Sequence, residues 1–278
     1  MKISINEQEY YYDGYLVNNL EIINQAVNKK WDGIYYFGGY EGDGKSEFAA
    51  QVALFHDPTY CLDRCVFTPE QFTEAVNKAK PKQAIVYDEA QDAFESTNRD
   101  KSARAIKSLM TRIRKKQLFI IIVAPDFWRI NKYLFIQRSR AFIRVYANGL
   151  ERGFFEFYNR EKKHELRILG QRNEKLVVSP NFRGRFTHWF PLDQEAYEDK
   201  KDKATEQIGS KGKLELTEKQ IIAKTVKKVH SWLKFKGIAV PIKEMAVSAG
   251  VNYSTIRNTL SRLGKQGFEA EEEGETIL

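Results

Sequence analysis

The chain has 278 residues, a formal net charge of +8, and 42% hydrophobic and 13% aromatic residues, which suits one large domain plus a small one. Two cysteines, Cys61 and Cys65, and four scattered histidines argue against a disulfide scaffold and against a zinc site. The longest apolar run, residues 118–124, is too short to cross a bilayer and the polar N-terminus lacks a signal-peptide pattern, so a cytoplasmic protein without a membrane partner is expected.

In chain order, "MKISI" and "EYYYDGYLV" predict a short strand pair with Asp13-Gly14 as its turn. Asn18 or Asn19 is expected to cap a helix with Leu20, Ile23 and Val27 on one face. "GIYYF" follows as a buried strand, and residues 39–46, GYEGDGKS, match G-x-x-x-x-G-K-[ST] in full. Residues 47–55 have helical spacing, which places the loop at a helix N-terminus, where backbone N–H groups bind phosphate. The expected nucleotide-binding set is Gly39, Gly42, Asp43, Gly44, Lys45, Ser46 and Glu47. Lys45 reaches the β- and γ-phosphates of ATP, and the Ser46 hydroxyl ligates Mg²⁺.

Residues 60–67 read as a strand, and Thr68-Pro69-Glu70 opens a helix. "AIVYDEA" is a strand ending in two acids. Asp88 suits the metal and Glu89 the activation of the attacking water, in the order and spacing of an ATPase with an extra central strand. A polar loop (95–100), a basic helix (101–116), the strand "LFIIIVA", a helical "DFWRINKYLFIQRSR" and the strand "AFIRVYA" come next. Arg112, Arg114, Lys115 and Lys116 form a basic helix end, solvated or lining a DNA channel. Hydrolysis needs positive charge at the γ-phosphate, and Arg138 or Arg140 is the expected source, presented to a neighbouring subunit. Within residues 149–170, "RGFFEFYN" and "HELRILG" read as the two strands of an antiparallel edge hairpin. Alternation of strands and helices predicts an α/β fold with a mostly parallel sheet.

Residues 1–193 are therefore expected to be one domain, with its core at about 32–146, and 194–216 a charged linker. Residues 217–278 read as a winged helix-turn-helix. Ile242, Met245, Ala246 and Ala249 line one helix, and residues 250–252 form the turn. Ser254 caps a second helix that presents Ser254, Thr255, Arg257, Asn258, Ser261, Arg262 and Lys265 to duplex DNA. Residues 211–268 hold twelve Lys or Arg against three Glu, in keeping with a polyanionic partner.

The segments "GGYEGDGKSEFA", "LDRCVFTPEQF", "AIVYDEAQDAF", "MTRIRKKQLFIIIVAPDF" and "QRSRAFIRVY" resemble the P-loop ATPases of the HerA/FtsK group, which includes Zot-like proteins and viral DNA-packaging ATPases. The resemblance covers about half the chain. It implies a RecA/FtsK-like P-loop NTPase sheet and an oligomer, often a hexameric ring, that moves DNA, with a portal, capsid or replication partner and a place in the host cytoplasm if viral. That group usually carries a polar residue, often Gln, at the end of the strand after the acids. Here that strand ends Ala124-Pro125-Asp126. The leading expectation is an ATP-hydrolysing DNA motor for packaging, translocation or transfer. The alternatives are a replication initiator or helicase loader, and an ATP-gated transcription regulator.

Overall fold

The computed structural model describes residues 1–94, 105–106, 108–110, 113–212, 218–235, 239–250, 252–254 and 256–258. The chain divides into two compact units, Met1–Ile208 and Gly209–Leu278. The described strands are β1 (Lys2–Ile5), β2 (Gln8–Tyr11), β3 (Gly33–Gly38), β4 (Cys65–Val66), β5 (Ala84–Tyr87), β6 (Phe119–Val123), β7 (Ala141–Asn148), β8 (Glu151–Tyr158) and β9 (Phe182–Arg185). The helices are α1 (Gly14–Asn28), α2 (Lys45–His56), α3 (Pro69–Lys78), α4 (Gln91–Phe94), α5 (Arg160–Gly170), α6 (Gln194–Gly212), α7 (Glu218–Phe235) and α8 (Ile242–Ser248).

β1 and β2 form a separate hairpin, and the other strands make one sheet in the order β4-β5-β6-β3-β7-β8-β9. From β4 to β7 all neighbours are parallel; β8 and β9 are added antiparallel at the edge. This is the expected α/β fold, a mostly parallel sheet flanked by helices. Strand alternation explains its two-sided core, because successive side chains point to opposite faces. On the central strand β3, Tyr35 and Phe37 join the cluster that includes Leu20 of α1 and Phe48 and Val52 of α2. Ile34 and Tyr36 join the opposite cluster, with Phe72 of α3 and Leu166 of α5. A parallel strand covered on both faces reads as a continuous apolar run, as "GIYYF" does.

Several expectations are corrected. The first hairpin turns at Asn6-Glu7, both at positive φ (51° and 66°), as a tight two-residue turn requires. Asp13 is instead the cap of α1, its carboxylate accepting from the Tyr15 and Leu16 amides, and Asn18 and Asn19 lie inside that helix. Only Cys65–Val66 of residues 60–67 is strand. "DFWRINKYLFIQRSR" yields a short π-turn, Leu134–Arg138. The edge hairpin is β7–β8, and "HELRILG", expected as its second strand, lies in α5. The helical stripe of α5 was hidden because half of it is cationic: Lys163, Leu166, Arg167 and Gly170 are buried together. Lys163 Nζ donates to the Phe135 and Ile136 carbonyls at 2.6 and 2.8 Å, and Arg167 to those of Phe127 and Ile130, which satisfies the carbonyls around the π-turn.

The charged segment after residue 193, expected as a linker, has regular structure over most of its length. Gln194–Gly212 is helical, and Tyr197 and Ala204, two turns apart on one face, are buried at 5% and 1%. Two apolar anchors among many charges left too little periodicity to see. In the second unit Val226, Ala246 and Ile256 form a small core with Ile222, Ile242, Met245 and Tyr253 packed against it. Gly250 turns at φ 66°, and the cap of the following helical turn is Asn252, whose side chain accepts from the Ser254 amide at 3.1 Å, rather than Ser254 itself. Arg257 and Asn258 are exposed there. Thr255, Ser261, Arg262, Lys265, the wing and Arg112 lie outside the described residues. Among the described residues no helix is long and apolar enough to cross a membrane.

Burial, with repulsion from Arg160, pushes the Lys163 ammonium from 10.5 down to about 7. Between those values the unfolded chain binds more protons than the folded one. Stability should therefore rise with pH across that window, by at most about 1.4 kcal/mol per pH unit; on lowering the pH it is lost from about 10.5 downward, and the dependence levels off below about 7. Denaturant midpoints measured from about pH 6 to about pH 10 should show this slope in wild type and not in Lys163→Met. Parallel profiles for the two proteins would contradict it.

Candidate active site

The parallel strands end on one edge, where ligands of open α/β sheets bind. The glycine loop follows β3, and the Asp88-Glu89 pair follows β5. β6 lies between them, so both motifs face one cavity of about 840 Å³, within the size range of small-ligand sites. The edge is laced by backbone bonds: the Ala90 amide donates to the Val123 carbonyl and the Ala124 amide to that of Phe37, both at 2.9 Å.

The loop conformation depends on glycine. A Cβ at Gly39 (φ 141°) would stand 2.1 Å from the Val145 carbonyl oxygen, and Gly44 caps α2 at φ 90° with no side chain on the free amides of the first turn. Asp43 shapes the loop from within, its carboxylate accepting from the Tyr40 amide at 3.0 Å. Lys45 Nζ donates to the Tyr40 carbonyl at 2.5 Å. Burial lowers the Lys45 pKa, while the charges of Asp43, Asp88 and Glu41 oppose the shift and hold the ammonium against an acidic floor. Glu47 lies 3.3 Å from His188 Nδ1.

Asp88 is 2% exposed. A carboxylate buried that far needs hydrogen bonds or a cation. The Glu89 amide donates to Oδ1 at 3.0 Å and the Tyr197 hydroxyl to Oδ2 at 2.5 Å. Tyr197 also bonds the Ser46 side chain, and burial, reinforced by Asp88, raises its pKa far above the usual value, so it donates as a neutral phenol. No cluster of three or more acidic, histidine or cysteine ligands exists among the described residues. The donor set, one hydroxyl and one carboxylate, fits Mg²⁺, which binds through one or two protein oxygens and keeps waters and phosphate oxygens for the rest. Ser46 and Asp88 would hold it, and when bound it would neutralise charge between the β- and γ-phosphates.

Glu89 sits at φ 54°, a left-handed conformation uncommon for a non-glycine residue, and Lys201 Nζ stands 2.9 Å from its Oε1. Among the further residues at this cavity that the sequence did not reveal are Gln91, Arg152, Tyr197 and Lys201. Gln91 Oε1 accepts from the Asp126 amide at 3.1 Å, while its buried Nε2 has no partner among the described residues. It lies beside the strand end where Asp126 was the only polar group in view. Arg152, exposed on β8, has its guanidinium 3.8 Å from where a Cβ on Gly42 would stand. The one available signal was the lone aromatic Tyr197 in a charged stretch; the others depend on strand order.

Arg138 and Arg140 are not brought to this cavity. The Arg140 amide donates to the Ile34 carbonyl, which puts both arginines at the start of β3, roughly 20 Å of strand from the loop. Arg138 pairs with buried Asp32 and donates to the Met110 carbonyl. The Arg140 guanidinium stands 4.6 Å from the ring of Trp31, and that of Arg114 4.2 Å. Arg144 is held by Glu156 at 3.1 Å.

Tyr197→Phe keeps the ring packed on Phe67 and Phe190 but removes the hydroxyl on Asp88 and Ser46. Mg²⁺ titrations of nucleotide binding should show a metal requirement raised by roughly tenfold or more, as for lost partners of metal ligands, with little change in Tm. An unchanged Mg²⁺ dependence would show that the hydroxyl orients nothing.

No protein-family model and no curated protein matches the chain. Solved structures do. The N-terminal domain of zonular occludens toxin from Neisseria meningitidis is 14% identical, covers 60% of this chain and 98% of that domain, and has a TM-score of 0.35. The genome-packaging NTPase B204 from Sulfolobus turreted icosahedral virus 2, in complex with ATP-γS, is 13% identical over 48% of this chain and 94% of its own, with a TM-score of 0.35. A chain of the HORMA:CdnC:Trip13 complex from E. coli MS115-1 is 13% identical over 48% of this chain and 61% of its own, with a TM-score of 0.33.

Proposed function

We propose that the chain binds ATP with Mg²⁺ and hydrolyses it, and that hydrolysis moves duplex DNA in a virus or mobile element, for packaging, translocation or transfer. The observation that carries the ATPase reading is the pair Asp88-Glu89 facing a complete phosphate loop across one intervening strand. Each side chain then has a task. Backbone amides of the loop and of the first turn of α2 hold the phosphates, and Lys45 and Arg152 meet their charge. Ser46 and Asp88 take the metal. Glu89 orients and deprotonates the attacking water. The Gln91 amide, pinned through its oxygen, offers its unpartnered N–H to the phosphate that leaves.

The DNA reading is supported by the second unit. Arg257 and Asn258 lie exposed there on a helical turn capped by Asn252, in a segment rich in Lys and Arg. Engagement of Arg138 with Asp32 inside its own subunit withdraws the arginine expected to serve a neighbouring subunit, so on this reading a further cation at the γ-phosphate comes from Arg152 or from another residue of an oligomeric partner. Two units, 1–208 and 209–278, joined through α6, make a motor domain followed by a DNA-binding domain on this reading.

Steady-state ATP hydrolysis of wild type and Glu89→Gln, with and without long non-specific duplex at low salt, tests it. Wild type should be stimulated by any duplex. Glu89→Gln should keep nucleotide binding and lose roughly a hundredfold or more in turnover. Turnover indifferent to non-specific duplex contradicts the motor and favours ATP-gated binding at a specific site, the role of an initiator or a transcription regulator.

A further inference from the structure

Helix α6 reaches both acids of the site, by contacts of different character. Tyr197 is packed, 5% exposed between Phe67 and Phe190. Lys200 fixes the same turn to the sheet, its ammonium donating to the Leu62 and Cys65 carbonyls at 2.8 and 2.7 Å. Lys201 is different. Its pair with Glu89 is open to solvent, with side chains 32% and 49% exposed. Burial lowers the Lys201 pKa, but the hydrogen bond and charge of Glu89, with Asp88 and Glu198, outweigh it and leave the net value raised. The ammonium is therefore charged and committed to that carboxylate.

A general base must offer a free carboxylate lone pair to the water it deprotonates. An oxygen already paired with an ammonium is engaged and aimed at α6. The peptide of Glu89 is also in a left-handed conformation, which gives the residue an ordinary conformation to relax toward once its side chain is freed. α6 does not end at the site: it continues past the junction of the two units at Gly209 to Gly212.

We propose that Lys201 is a positioning residue that holds Glu89 in a hydrolysis-incompetent pose, and that opening of this pair releases it. The proposal rests on the ATPase reading above. Tyr197 and Lys200 stay in place as the fulcrum, and the solvent-exposed Lys201–Glu89 pair is the contact that opens. The fraction of time this pair is open thus sets the fraction of time Glu89 is free.

The test is the full chain as wild type, Lys201→Ala and Lys201→Arg, each assayed for binding of a fluorescent ATP analogue and for kcat and KM with and without duplex DNA. Lys201→Ala should raise basal kcat roughly two- to fivefold, the population change expected on removing a half-exposed ion pair, with KM unchanged. Lys201→Arg should restore the low basal rate, and Glu89→Gln should abolish turnover in the Lys201→Ala background. A Lys201→Ala protein with basal kcat equal to or below wild type overturns the latch, as does a raised KM at constant kcat, which would make Lys201 a phosphate-binding cation. Failure of wild type to bind the nucleotide overturns the ATPase reading and the latch with it.

Discussion

A carboxylate cannot be buried at a strand end without partners, and the site is arranged around that constraint at Asp88. β5 delivers the group to the edge of the sheet, the next amide in the chain and the Tyr197 hydroxyl hold its two oxygens, and Ser46 shares the same phenol. Because β6 separates β5 from β3, the acids face the glycine loop across one shared cavity instead of packing against it. The apolar, two-sided strands set that spacing. A glycine at position 39, where the Val145 carbonyl admits no Cβ, closes the loop over it.

The same constraint ties the end of the first unit to its chemistry. Tyr197 belongs to α6, far along the chain from Asp88, so the metal-side acid is complete only when that helix is docked. Lys200 and Lys201 on the same turn hold a strand edge and the second acid. A segment of mostly charged residues is thereby a structural wall of the cavity. The Lys- and Arg-rich C-terminal segment follows it in the chain.

The fold was legible where the signal is local. The sequence of β3, loop and α2 carries glycines that no other residue replaces and a strand apolar on both faces, and the alternation of strands and helices leads to a parallel sheet. It was not legible where long-range contacts decide. α5 buries Lys163 against carbonyls of the π-turn and Arg167 against those of Phe127 and Ile130, so charge stands where a helical stripe would be apolar. α6 shows two apolar anchors in a polar run. Arg138 and Arg140 looked suited to phosphate by type, and it is the parallel register of Tyr35 with Ala141 that puts them at the other end of the sheet. Arg152 and Gln91 reach the cavity only because β7–β8 and β6 lie where they do.

The central claim is that this cavity takes a nucleoside triphosphate with Mg²⁺. Calorimetric titration of wild type and Lys45→Ala with a non-hydrolysable ATP analogue, with and without Mg²⁺, tests it most directly. The account predicts near-stoichiometric binding by wild type that tightens with Mg²⁺ and is weakened by roughly tenfold or more in Lys45→Ala, the loss of one charge-assisted phosphate contact. Heat of binding that is absent in wild type, or equal in the two proteins, would contradict it.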